Sequence, residues 1–377
     1  MPIAIDDILS KMTLEERAGQ VMMIGFDGTS CSPELHRIIL DLHIGGVIEF
    51  ARNVDSPRAV AQLAADLQHT ARASGLPGLF ISIDQEGGRV TRLKADHGFT
   101  EFPSARVLGS TRDPEKARSV ARLVAEEMKA VGINMDLAPV LDVDNNPANP
   151  IIGNRSFGAD PESVARFGVA FLEGLQSEGI LAVGKHFPGH GDTDVDSHIG
   201  LPVVRHDLAR LHAVEFVPFR AAIAAGVAGI MSAHIAFPAI DASGIAATLS
   251  APVMTGLLQQ VFHFEGLRIT DSLEMGALAT SGYPAPLAAA MALAAGADVL
   301  LFNRDHDLHR EAHRTIVDWI RRGKIPKERL DDAVRRILAA KARFGILNPE
   351  VPDIASAGAR VGTAARKEIV DEISRVA

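Results

Sequence analysis

Eighteen consecutive residues, Lys185–Pro202 (KHFPGHGDTDVDSHIGLP), carry one lysine, three histidines and three aspartates. Their proline and glycine content makes this segment a loop. A histidine beside an aspartate is a tuned proton carrier, because the carboxylate orients the ring and stabilises its cation. Asp196 and His198 stand two apart and fit that pairing. Charged residues also interrupt apolar runs elsewhere. Asp84 is followed by Gln85, Glu86, Gly87, Gly88 and Arg89, with Arg92 close behind. Asp142, Asp144 and Arg155 form a second group, His234 stands alone, and Asp271 leads into Ser272, Leu273 and Glu274. Core packing does not explain charge at the ends of apolar segments. A pocket with carboxylates, histidines, a lysine and arginines suits polyol binding with acid/base or carboxylate-nucleophile chemistry.

Other chemistries fit less well. His186 and His190 are four apart, but Pro188 and Gly189 prevent the helix that would aim both rings at one metal ion. No P-loop, dinucleotide fingerprint or G-x-S-x-G elbow occurs. No metal and no cofactor is therefore expected. Cys31, the single cysteine, reads as incidental; no intrachain disulfide can form, which suits a reducing compartment.

These residues need a frame. Eight short apolar runs recur: Gln20–Gly25, Gly46–Phe50, Leu79–Asp84, Asn134–Val140, Ala182–Phe187, Ala228–His234, Leu267–Asp271 and Ala297–Asn303. Parallel strands buried on both faces have this pattern. Amphipathic stretches of helical length lie between them, including Ala59–Ala73, Pro114–Val131, Pro161–Glu178, Ala213–Ala225 and Leu308–Arg322. Ser56-Pro57, Asp113-Pro114 and Asp160-Pro161 each place a capping residue before a first-turn proline. The expected fold is α/β, a single-domain (β/α)8 TIM barrel over residues 1–348, with a C-terminal helical tail over 349–377. An open doubly wound sheet is the competitor, and the count of eight favours the barrel. In a barrel the active residues gather at the carboxyl ends of the strands. The charged residues above fall there.

Composition bounds the partners. Net charge is −9, from 38 basic and 47 acidic residues, which disfavours a nucleic-acid surface. Ala221–Ile240 lacks Asp, Glu, Lys and Arg, but it reads as a helix followed by a buried strand, so no membrane association is expected. Asp6 and Asp7 occupy the place where an export signal needs basic residues, so a cytoplasmic location is expected. A monomer is favoured.

Six stretches carry a resemblance: Asp84–Arg92 (DQEGGRVTR), Asp136–Asp144 (DLAPVLDVD), Gly153–Phe157 (GNRSF), Lys185–Pro202, Met231–His234 (MSAH) and Ile269–Met275 (ITDSLEM). In this order they resemble glycoside hydrolase family 3, most closely its bacterial β-N-acetylglucosaminidases (β-N-acetylhexosaminidases). The resemblance implies a (β/α)8 barrel and a small carbohydrate substrate, peptidoglycan fragments or chitin oligomers. It implies Asp271 as the nucleophile that forms a covalent glycosyl-enzyme. It implies His198 as general acid/base with Asp196 as its partner. Asp84, Arg92, Arg155, Lys185 and His186 match residues that hold the sugar hydroxyls and the N-acetyl group. Two features depart from the pattern. DSLEM differs from the DDLSM-like form of one-domain relatives, and the tail ARKEIVDEISRVA resembles a stretch that leads into a second domain.

Plainer readings stand beside these. Asp84 and Lys185 also fit an ion pair bracing the barrel mouth. Arg155 could hold its own loop. Glu274 reads as packing or pairing outside the pocket. With one Trp and one Tyr, and Trp319 on a predicted outer helix, sugar stacking rests on phenylalanine or is weak. The alternatives in function are a family 3 β-glucosidase or xylosidase, a β-N-acetylglucosaminide phosphorylase, a metal-dependent barrel hydrolase, and a non-catalytic sugar-binding barrel.

Overall fold

Apolar runs of four to six residues, too short for helices, form strands when glycine and polar residues bound them. The computed structural model describes residues 5–197 and 199–375. It contains β1 (Met22–Ile24), β2 (Gly46–Glu49), β3 (Phe80–Ile83), β4 (Met135–Asp136), β5 (Leu181–Phe187), β6 (Gly229–Ser232), β7 (Leu267–Thr270) and β8 (Leu300–Leu301). Every expected run holds one strand. Most strands are shorter than their runs because the flanking residues leave the ladder for the loops.

All pairings are parallel, and each strand neighbours the next in sequence. β8 pairs with β1. The remaining gap is bridged by Ile269 opposite Val299 and by the Thr270 N–H, which donates to the Val299 carbonyl (2.9 Å). The sheet therefore closes on itself, and the open-sheet alternative does not hold.

Helices lie outside the barrel. Pro57–Ala73, Pro114–Ala130 and Pro161–Ser177 each begin with the anticipated cap: Ser56, Asp113 and Asp160 accept backbone N–H groups of the first turn. One expectation needs correction. Ala213–Ala225 is not one helix but the end of Leu208–Ala213 followed by Phe216–Ala224. The backbone leaves helical geometry at Val214. Ala221–Ile240 holds the end of that second helix and then β6. Among the described residues, no helix is long and apolar enough to cross a membrane.

The tail helices Ala357–Arg360 and Ala364–Arg375 pack against Pro57–Ala73, Ala105–Ser110 and Pro114–Ala130. Buried Glu127 fastens them. Its carboxylate accepts from the Gly362 N–H (2.7 Å), the Thr100 N–H (3.0 Å) and the Thr100 hydroxyl (2.6 Å).

The closing seam is short in ladder bonds and rich in charge. Arg268, only 1% exposed, forks onto Asp298 with two N–H donors at 2.9 Å each. Arg329, from the helix Lys327–Arg343, joins the same carboxylate at 2.6 Å. A bidentate guanidinium–carboxylate pair fixes geometry as well as supplying energy. It holds β7, and hence Asp271 at its exit, against β8. Asp298→Ala would leave Arg268 and Arg329 to share the part-exposed Asp332 as their carboxylate partner. We expect a loss of about 3–5 kcal/mol, read by denaturant unfolding. A loss below about 1 kcal/mol would mean the seam is held by packing alone.

Candidate active site

The carboxyl ends of the strands surround a cavity of about 370 Å³, lined among others by Asp84, Arg92, Arg155, Lys185, His186, His190, Ser197, Asp271 and Glu274. The strand ends Ile48, Leu137, Met231 and Leu301 contribute apolar side chains. Six of the eight expected site residues thus meet in one cavity, though they come from positions 84 to 271.

The cavity is organised by buried charge. Lys185, at 2% exposure, places Nζ 2.7 Å from Asp84 and 2.7 Å from Glu86. Arg92 donates to the other Asp84 oxygen (3.1 Å). Arg155 forks onto Glu86 through Nε (2.8 Å) and Nη2 (2.7 Å). Burial alone would raise these acids. Lys185 and Arg92 outweigh it at Asp84, whose carboxyl falls well below the usual range. Arg155 and Lys185 bring Glu86 down to about 2. Burial also opposes the Lys185 charge, but Asp84 and Glu86 outweigh it and raise its pKa. Asp136 behaves differently. Burial dominates there and its pKa rises well above the ordinary value, because the Gln85 N–H and Lys185 offset the burial only in part.

The plainer reading of Asp84 and Lys185 is thus partly right, since they are a buried ion pair. They line the cavity as well. Arg155 likewise braces its loop by donating to the Ile151 carbonyl (3.4 Å) and still faces the cavity. Glu86 was missed as a site residue. Its signal was its place two residues beyond Asp84 in DQEGGR. That loop turns through Gly87 and Gly88, both at positive φ, where added side chains would strike Pro103 and Ser104.

The histidines are fixed by their second nitrogens. His186 Nδ1–H donates to Asp142 (2.7 Å), whose carboxyl is ionised because His186 outweighs its burial. Its Nε2 lies 3.4 Å from Arg155 Nη2. Asp142 also takes the His190 N–H (2.6 Å), so one buried carboxylate from the loop after β4 orders the start of the 185–202 segment. Burial lowers His190 to about 4, so its ring is neutral near pH 7; it bonds Thr193 (2.9 Å) and Ser197 (3.1 Å). His186 and His190 meet edge to face rather than converging on a point.

Asp271 stands one residue past β7. Its carboxylate accepts the Ser272 N–H (2.7 Å). Burial pushes its pKa up, but His234, His186, that N–H and Lys185 together hold it below the ordinary value. Asp271 is therefore an anion at neutral pH. His234 Nε2–H donates to the Ser272 carbonyl (2.9 Å) and so fixes the same turn.

Asp196 is half-buried, and its carbonyl accepts the N–H groups of Ile199 (2.9 Å) and Gly200 (3.1 Å). It does not line the cavity, but its neighbour Ser197 does. His198 lies outside the described residues. Glu274 is a correction. Expected outside the pocket, it lines the cavity, because the turn after Asp271 brings it back under Asn303 and His309. Asn303 lines it too. Phe50 is the ring in the wall, with Arg52 stacked 4.3 Å from its centroid. Trp319 lies on the outer helix His306–Arg321, as expected.

Fold and cavity define a (β/α)8 barrel with a charged, carboxylate-bearing mouth. The Glycosyl hydrolase family 3 N terminal domain matches residues 13–340, and the chain belongs to that family. Beta-hexosaminidase A of Pseudoalteromonas piscicida is 34% identical over 93% of this chain, which spans 61% of that protein. Beta-hexosaminidase of Thiobacillus denitrificans is 37% identical over 79% of this chain and 82% of its own length. A solved family 3 β-N-acetylglucosaminidase from Paenibacillus sp. str. FPU-7 superposes with a TM-score of 0.91 at 41% identity, covering 97% of this chain and 69% of that one.

Glu86→Ala would leave Arg155 without its carboxylate and Lys185 with Asp84 alone, and we expect a loss of about 3–5 kcal/mol in unfolding free energy. The folded pKa of Glu86 lies below its unfolded value. Its stabilisation is therefore present above about pH 4.5 and lost as pH falls toward 2. Unfolding curves across that range should converge for wild type and variant. Parallel curves would contradict the assignment.

Proposed function

We propose that the chain is a retaining exo-β-N-acetylglucosaminidase. The observation that carries this reading is the ionised Asp271 facing the Asp84–Lys185–Arg92–Arg155 cluster across one cavity. The names borne by the similar proteins supply the sugar. In this reading the charged cluster holds the hydroxyls of the terminal sugar. Asp271 attacks the anomeric carbon, and the aglycone oxygen leaves with a proton from His198. A glycosyl–Asp271 ester results. His198, partnered by Asp196, then takes a proton from water, which attacks the anomeric carbon and releases Asp271. A histidine in this role sets no second anion against the nucleophile.

The natural substrates proposed are peptidoglycan fragments or chitin oligomers, handled in the cytoplasm by a monomer. The free thiol of Cys31 fits a reducing compartment. No metal or cofactor enters the proposed steps.

Hydrolysis of N,N′-diacetylchitobiose and of 4-nitrophenyl β-N-acetylglucosaminide, beside the matching β-glucoside, tests this. Asp271→Ala should lower kcat at least about a thousandfold on both N-acetyl substrates. His198→Ala should cost far more on the disaccharide, whose poor leaving group needs the proton. Preference for the glucoside would transfer the reading to a β-glucosidase or xylosidase. Acceleration by phosphate, with a sugar phosphate as product, would make it a phosphorylase. Loss of activity with chelator would revive a metal-dependent hydrolase. Binding without turnover would leave a sugar-binding barrel.

A further inference from the structure

The reading above uses the charged cluster on one wall of the cavity and Asp271 on the other. The opposite wall, at the exits of β7 and β8, holds a second carboxylate. Glu274 lines the cavity, and its side chain is 14% exposed, as deep as Asp84 at 15%. It differs from Asp84 and Glu86 in its partners. Among the described residues no lysine or arginine stands within ion-pair distance of it, and Arg52, bonded to Asn303, acts on it only through space. Its Oε1 accepts the Asn303 N–H (2.7 Å) and lies 3.4 Å from His309 Nε2. His309 is fully buried, with Nδ1 3.3 Å from His306 Nδ1, so its ring cannot turn away. The carboxylate is thus held in place without being neutralised by a strong cation.

Asn303 completes the arrangement. Its Oδ1 accepts from Arg52 (3.1 Å), which leaves the two Nδ2 hydrogens for the cavity. An acceptor and a donor stand side by side on one wall. A hydroxyl satisfies both, donating its hydrogen to the carboxylate and accepting from the amide. A carboxylate set in a cavity at a cost in solvation, with no lysine or arginine in direct contact among the described residues, recovers part of that cost from a ligand hydroxyl.

We propose that Glu274 contacts the substrate, binding with Asn303 one hydroxyl of the sugar being cleaved. His309 is a positioning residue that fixes the Glu274 carboxylate. The inference rests on the glycosidase reading and deepens it. Asp84 and its partners grip the sugar from the β3–β5 side, and the Glu274–Asn303 pair reads a hydroxyl from the β7–β8 side. The site then selects for that hydroxyl from two sides, and an analogue lacking it leaves a buried anion unpaired.

The test pairs wild type, Glu274→Gln and Glu274→Ala with 4-nitrophenyl β-N-acetylglucosaminide and its 3-deoxy, 4-deoxy and 6-deoxy analogues. One deletion should cost wild type about tenfold to a hundredfold in kcat/KM. In Glu274→Ala the same deletion should cost less than about threefold, while the other two deletions cost what they cost wild type. Glu274→Gln, equal in size and able to accept a neutral hydrogen bond, should fall between. It carries the comparison if the alanine variant melts early. If all three deletions cost the same in wild type and both variants, Glu274 touches no hydroxyl and the inference is overturned. Wild type inactive on every glycoside would instead overturn the glycosidase reading, and that arm is read without any variant.

Discussion

The mouth of this barrel depends on the Lys185 ammonium lodged between Asp84 and Glu86. This contact ties the end of β5 to the loop after β3, and Arg92 and Arg155 close it from outside. Three cations face two carboxylates, so the cluster keeps a net positive charge. That charge lies close enough to help hold Asp271 ionised. Each member alone would be costly to bury, because an unpaired charge loses its water without compensation. Together they form a rigid polar wall whose remaining donors and acceptors face the cavity. Structural bracing and the proposed substrate binding rest here on the same set of bonds.

The rest of the fold serves this wall and Asp271 opposite it. Asp142 spends one carboxylate on the His186 ring and the His190 backbone, so the loop after β4 aligns the segment after β5. Arg268, Asp298 and Arg329 stitch β7 to β8, where ladder bonds are few. His234 bonds the Ser272 carbonyl and fixes the turn that carries Asp271. Glu127 anchors the tail through Gly362 and Thr100. In each case a buried ionisable or polar group does at long range what regular secondary structure cannot do at a loop.

Much of this was legible in the sequence, for identifiable reasons. Strands buried on both faces leave apolar runs, so all eight could be read off without a partner strand. Serine or aspartate before proline is a local signal, and the three helix starts followed it. Charge at the end of an apolar run marked Asp84, Lys185 and Asp271. What escaped depends on contacts between distant positions. Glu86 looks like any loop glutamate until Arg155, sixty-nine residues later, folds onto it. Glu274 reads as packing or pairing outside the pocket because nothing local reveals that Asn303 and His309 will meet it at the cavity wall. The break at Val214 was hidden by apolar spacing that continues across it.

The central claim is that Asp271 forms a covalent bond to the sugar. Its most direct test is trapping: incubation with a 5-fluoro N-acetylglucosaminyl fluoride, whose slow turnover allows the intermediate to accumulate, then peptide mass spectrometry. The account predicts one added glycosyl mass on the peptide containing Asp271, and none in Asp271→Ala. A label on another carboxylate would contradict it. So would an unlabelled enzyme that releases the inverted anomer from its substrate.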